Sequence, residues 1–136
     1  MSLLLLLPLL FFCHFLADFC FTTPTMLKAK ATGKRWWHIA WHAAVHATLM
    51  GAVLMGMMVP LYGVSIKACL LLMAFELVTH FIIDYAKGWT TRTFPRYADP
   101  AHKPYWVLYG LDQLLHQLVI LAIVALTAFF SQYPVL

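Results

Sequence analysis

The chain has 136 residues, of which 63% are hydrophobic and 10% charged, with nine basic and five acidic side chains and a net charge of +4. A soluble domain carries roughly 25% charged residues, so this composition excludes a surface wetted by water throughout and makes lipid the solvent for much of the chain. The length allows one unit, residues 1–136, and no separate soluble domain.

Four apolar runs are long enough to cross a bilayer, which takes about 20 residues. The first, about 3–21, has no basic leader and no small-x-small cleavage site, so it reads as a retained helix rather than a signal peptide. Pro8 lies within it and either kinks the helix or marks its start. Thr23-Pro24 closes the run, and a basic loop follows with Lys28, Lys30, Lys34 and Arg35. The second run is about 37–59 and ends at the Pro60 to Gly63 break. The third is about 65–86, and Gly88 to Pro104 reads as a second basic loop. The fourth is about 105–130. The expected fold is all-α, a four-helix transmembrane bundle. Cys13, Cys20 and Cys69 lie in apolar runs without Cys-x-x-Cys spacing, so they read as buried thiols outside any disulfide framework.

Eight of the nine basic residues fall in or beside the two long loops: Lys28, Lys30, Lys34, Arg35, Lys87, Arg92, Arg96 and Lys103. Only Lys67 lies at the opposite face. The positive-inside rule then puts both loops in the cytoplasm and both termini on the outer side. Trp36, Trp37, Trp41, Trp89 and Trp106 all fall near the basic edge, where indole rings prefer to sit.

The polar residues inside the runs are not scattered. His14 and Asp18 stand four apart, as do His38 and His42, His42 and His46, Glu76 and His80, His80 and Asp84, and Asp112 and His116. Residues at this spacing share a helix face, and random placement would give roughly one such pair rather than six. With a rise of about 1.5 Å per residue, each pair lies roughly 5–16 Å inside the basic boundary. Antiparallel topology brings all four runs' pairs to one level. A buried aspartate costs about 3 kcal/mol on insertion scales. One pair can serve to tie two helices together, whereas four pairs at one depth point to a site. His38 beside Trp37 reads as interfacial, and Asp99 and His102 as solvated loop residues.

His14, Asp18, His42, His46, His80, Asp84, Asp112 and His116 are therefore the expected metal ligands, since inward-facing His and Asp on neighbouring helices build bundle-core metal sites. Mixed nitrogen and oxygen donors suit a divalent transition ion, zinc first, with manganese or iron as alternatives. One or two ions are possible. Three aspartates without other cations favour two ions and a hydroxide. Glu76, the deepest acid, is either a partner behind a ligand or a catalytic acid/base, and Asp84 is the second catalytic candidate. Protons could neutralise the same acids instead, which is the transporter reading.

The stretches His14-Phe-Leu-Ala-Asp18-Phe19, His42-Ala-Ala-Val-His46, His80-Phe-Ile-Ile-Asp84-Tyr-Ala-Lys87 and Asp112-Gln-Leu-Leu-His116 resemble a family of small bacterial and phage membrane proteins catalogued as a domain of unknown function. The resemblance covers nearly the whole chain and implies a multi-pass protein of the bacterial inner (cytoplasmic) membrane. More distantly, the pattern is similar to the membrane-bound metal-dependent hydrolases, which implies metal-assisted hydrolysis. His80-Phe-x-x-Asp84 also resembles an element of helical zinc phospholipases and nucleases. The Pro-x-His that follows in that element is missing here, so no trinuclear site is carried over.

The leading functional expectation is a metal-dependent hydrolase embedded in the membrane, acting on a lipid or phosphoester. Lys28, Lys30, Lys34, Arg35, Arg92, Arg96 and Lys103 would form a basic rim able to attract phosphate or anionic lipid head groups, although topology alone accounts for such a rim. The alternatives are a metal-ion or proton transporter using the same residues, with homo-oligomerisation one route to a pore, and a non-enzymatic interaction protein. Met55, Met57 and Met58 read as packing rather than as soft-metal ligands. Nucleic acid is not an expected partner, because the basic charge is already required beside a membrane. Serine chemistry is not expected either, because Ser2, Ser65 and Ser131 lie far from the histidines.

Overall fold

The computed structural model describes residues 5–133, all of them helix or connecting turn. Ser2 and the first residues of the expected first span lie outside the described residues. Five helices follow one another: α1 (Leu6–Cys20), α2 (Pro24–Thr32), α3 (Trp36–Tyr62), α4 (Ile66–Thr93) and α5 (Lys103–Gln132). α3, α4 and α5 are each long and apolar enough to cross a membrane, and α1 with α2 makes a fourth candidate that is bent by 100°. Only 22–33% of the most apolar stretch of each long helix is buried within the protein. The rest of each stretch needs an apolar solvent, as expected of a membrane protein.

α1, α3, α4 and α5 close a ring in which α1 packs on α3, α3 on α4, α4 on α5 and α5 back on α1. Lipid tails are as apolar as leucine, so such a ring is held by close packing rather than by the hydrophobic effect. Ala17, Ala43, Ala47 and Ala68 are accordingly buried where helices meet. One half of the ring is filled by Leu6, Leu10, Cys13, Met50, Leu54, Met58, Ala68, Cys69, Leu72, Ile120 and Ile123. Met58 belongs to this core, and Met55 and Met57 pack against it. Cys13 and Cys69 are buried and free as expected, but Cys20 is exposed on the outside of the ring.

Two helices contain a wide turn. In α3 it spans Leu54–Met58, just before Pro60. Proline has no N–H to donate and its ring crowds the carbonyl four residues back, so the helix loosens there. In α1 it spans Leu16–Cys20 and ends with Phe21 N–H donating to the Leu16 carbonyl at 3.0 Å. Pro8 lies in the first described turn of α1.

The two expected basic loops are corrected. Residues 24–32 form helix α2, with Thr23 as its N-cap accepting from Met26 N–H at 3.3 Å, Pro24 in its first turn and Gly33 closing it at φ +62°. This is the ordinary start and stop chemistry of a helix. α2 packs on α3 and α4 at the basic end of the ring. α4, in turn, does not stop near Ala86 but runs on to Thr93. Gly88 is not a helix breaker but the point where α2 meets α4. A Cβ on it would lie 2.5 Å from Gly33 N and 2.6 Å from the Lys30 carbonyl oxygen. Thr91 Oγ1 donates to the Ala31 carbonyl at 2.7 Å and holds the same junction.

Candidate metal centre

The ring topology brings all eight expected ligands to one level. α1 contributes His14 and Asp18, whose Nε2 and Oδ2 are 3.3 Å apart. α3 contributes His42 and His46, both buried, with Nε2 atoms 3.2 Å apart. α4 contributes Glu76, His80 and Asp84 on one buried face, and α5 contributes Asp112 and His116. The rings of His46 and His80 lie 3.7 Å apart at their centroids, and those of His80 and His116 4.2 Å apart. His14 closes the group, 4.6 Å from His46 and 5.3 Å from His116.

The residues just beyond α1 set the orientation of His42. Thr22 Oγ1 donates to the Ala17 carbonyl at 2.8 Å, so its lone pairs face His42 Nδ1 at 3.2 Å. His42 therefore carries its proton on Nδ1 and turns a bare Nε2 toward the cluster. Glu76 does the same for His80. Its Oε1 accepts from His80 Nδ1 at 3.1 Å, leaving His80 Nε2 facing Asp84 Oδ2 at 3.5 Å. Glu76 thus stands behind His80 rather than beside the open side of the cluster.

Two lysines enter the cluster. Lys30, expected on the rim, is carried inward by α2. Its Nζ is 2.9 Å from Asp18 Oδ1, 2.9 Å from His42 Nε2 and 3.4 Å from Asp84 Oδ2. Lys87 Nζ donates to Asp112 Oδ2 at 2.7 Å and lies 5.2 Å from the Tyr109 ring centroid. The other rim residues, Lys28, Lys34, Arg35, Arg92, Arg96 and Lys103, are exposed.

Buried polar groups are normally hydrogen-bonded. Here His80 Nε2, both Asp84 carboxylate oxygens, Asp112 Oδ1, Glu76 Oε2, His14 Nδ1 and His46 Nδ1 are buried without a hydrogen-bond partner among the described residues. Four groupings of donor atoms within 4.8 Å of one another can hold a metal ion: His14–His46–Glu76–His80, Asp18–His42–His46, His42–His80–Asp84 and Asp84–Asp112–His116. Asp99 and His102 stand apart from all of these. They pair at 3.0 Å with half-exposed side chains, and Ala101 N–H donating to Asp99 holds its carboxyl below the usual range. His38 sits against Trp37 and away from the cluster. Ser65 caps α4 and Ser131 bonds within α5, so neither reaches the histidines.

A cleft of about 360 Å³ leads from the basic end down to Asp18 and Asp112, between α2, α5 and the 95–97 turn. Lys30 and Lys87 face it, and Phe19, Leu27, Leu108, Tyr97, Tyr105 and Tyr109 wall it. Sequence reasoning missed the inward course of both lysines. For Lys87 a signal was present, because it lies three residues past Asp84 and so on the face that already carries Glu76, His80 and Asp84. For Lys30 no periodic signal exists, since only the 100° bend aims α2 at the cluster.

The sequence matches a family described as a protein of unknown function (DUF3307) over residues 5–135. The chain belongs to that family. The match takes in all four helices of the ring and every residue of the polar cluster, as the four quoted motifs led one to expect. No curated protein and no solved structure matches the chain.

Proposed function

We propose that the chain is a membrane-embedded, metal-dependent hydrolase of a lipid phosphoester. The observation that carries this reading is the one-sided access to the cluster. The cleft reaches the His/Asp layer from the basic end, while Leu10, Met50, Leu72 and Ile120 pack across the ring on the other side. A transporter would need a way through that apolar packing.

The cleft also suits an amphiphile. Lys30 and Lys87 give its floor positive charge, and Phe19, Leu27 and Leu108 offer apolar wall for an acyl chain. A phosphate head group would be drawn in by the exposed rim arginines and lysines and turned toward Asp112 and Asp18 by the two inner lysines. A divalent transition ion bound among the histidines and aspartates would acidify a bound water and polarise the phosphorus ester. In this reading Asp84 holds the ion and Glu76 keeps His80 in the right tautomer from behind. The basic end faces the cytoplasm of a bacterium, following the eight-to-one charge bias, and zinc fits the donor set, with manganese and iron next.

The test uses detergent-purified protein loaded with Zn²⁺ or Mn²⁺ and mixed micelles containing phosphatidic acid or phosphatidylglycerol. Release of phosphate or head group that chelation abolishes is expected. Protein that takes up no transition metal on titration would sink the reading, and metal uptake into proteoliposomes without hydrolysis would replace it with transport. Within this reading, Glu76→Gln should weaken metal binding by about 10–100-fold, the usual effect of removing a carboxylate behind a ligating histidine. Competition against a chromophoric chelator measures it, and unchanged affinity would remove Glu76 from the site.

A further inference from the structure

We propose that the cluster takes one divalent transition ion, held by His80, Asp84, Asp112 and His116, and that the Lys30 ammonium permanently fills the neighbouring Asp18–His42–His46 position. This rests on the metal-binding reading above and fixes the number and place of the ion.

The geometry divides the cluster into two unlike halves. In the half formed by Asp18, His42 and His46, the ammonium of Lys30 lies 2.9 Å from both Asp18 Oδ1 and His42 Nε2. Those two atoms are themselves 3.1 Å apart. With His42 protonated on Nδ1 toward Thr22, both atoms present lone pairs and would repel without a cation between them. Lys30 supplies that cation. It is not a loose side chain, because α2 is locked to α4 at Gly33 and Gly88 and by Thr91 on Ala31.

In the other half lysines reach only the edge: Lys30 Nζ lies 3.4 Å from Asp84 Oδ2 without a hydrogen bond, and Lys87 bonds only Asp112 Oδ2. His80 Nε2 lies 3.5 Å from Asp84 Oδ2, and His116 Nε2 lies 3.6 Å from both Asp84 Oδ1 and Asp112 Oδ1. Separations of about 3.6 Å are too long for hydrogen bonds. The two at His116 are close to the edges of a tetrahedron around an ion with ligand bonds of about 2.0–2.1 Å, which measure roughly 3.3–3.4 Å, and His80 faces the same ion position across the other oxygen of Asp84. His80 Nε2, both Asp84 oxygens and Asp112 Oδ1 are also buried without hydrogen bonds. Lys87 bonds the outer oxygen of Asp112, Oδ2, and leaves Oδ1 turned inward. Glu76 Oε2, His14 Nδ1 and His46 Nδ1 are unpartnered as well, but Glu76 bonds His80 from behind, and His14 and His46 turn Nε2 rather than Nδ1 to Asp18 and His42.

Charge agrees with the geometry. Asp18, Glu76, Asp84 and Asp112 bring four negative charges, and Lys30 and Lys87 bring two positive ones. With neutral histidines, two negative charges remain, which one divalent ion cancels. Lys30 and Lys87 thus supply the positive charge for which three aspartates alone would need a second ion.

Zn²⁺ titration followed by elemental analysis of the intact protein in detergent should give one ion per chain, and Lys30→Ala should raise this to two by opening the second position. X-ray absorption on the unmodified, zinc-loaded protein should show a nitrogen/oxygen shell and no zinc neighbour. Two ions in the unmodified protein, or a metal–metal distance near 3.5–4 Å as in two-metal sites, would overturn the proposal while leaving metal binding intact. A Lys30→Ala protein that still takes only one ion would overturn the role given to Lys30. No ion at all would overturn the metal reading itself.

Discussion

On the proposed metal reading, Asp84→Asn is expected to lose the ion, and in any case to be strongly destabilised. The Asp84 side chain is fully buried, and four groups from three other helices and its own converge on it. His80 Nε2 lies at 3.5 Å, His116 Nε2 at 3.6 Å, His42 Nε2 at 3.7 Å and Lys30 Nζ at 3.4 Å. An amide keeps the shape but removes the charge that faces Lys30 and any metal. Removing one partner of a buried ion pair typically costs about 3–5 kcal/mol. Lys30 keeps Asp18 at 2.9 Å, so the lower end of that range is expected. Elemental analysis and thermal unfolding in detergent read the two effects separately. Asp99→Asn is the control, because that side chain is half exposed and pairs only within its own loop, and it should leave the metal content untouched. An Asp84→Asn protein with full metal content would remove Asp84 from the site.

Gly88→Ala should lower the melting temperature, against the usual rule that replacing a helix-interior glycine by alanine stabilises by about 0.5–1 kcal/mol. The reason is that the added Cβ would meet backbone atoms of Gly33 and Lys30, which cannot swing aside as a side chain can. α2 would have to shift as a body, an overpacking penalty of about 1–3 kcal/mol. Lys30, only two residues before the end of α2, would move with it. Gly110→Ala provides the opposite case. Nothing lies within 4 Å of a Cβ built there, so that change should raise the melting temperature. Equal responses of the two variants in differential scanning fluorimetry would mean that the α2–α4 contact is not a close one.

The polar cluster was unusually legible in the sequence because its residues sit on helices at a spacing that helix geometry fixes. His14 with Asp18, His80 with Asp84 and Asp112 with His116 each announce one face of one helix. Antiparallel spans then leave little freedom in depth, so the eight residues had to meet near one level. Helix bounds were less legible. Gly88 and the charges after it read as a loop, whereas α4 runs on to Thr93. A glycine in a packed helix marks close approach as readily as it marks an end. The stretch after Thr23 reads as a basic loop by its charge, although its Thr-Pro start and Gly33 stop encode α2.

The sequence by itself determined the class and the cast of residues: few charges demand lipid, and helical periodicity selects His14, Asp18, His42, His46, His80, Asp84, Asp112 and His116. Tertiary structure alone decided what stands among them. The 100° turn between α1 and α2 is set by how α2 packs on α3 and α4, and no pattern in residues 24–32 points Lys30 toward Asp18 and Asp84. A charge in a basic stretch is equally at home in water or in the cluster until packing chooses. That choice puts an ammonium in the polar layer and shapes the cleft above it.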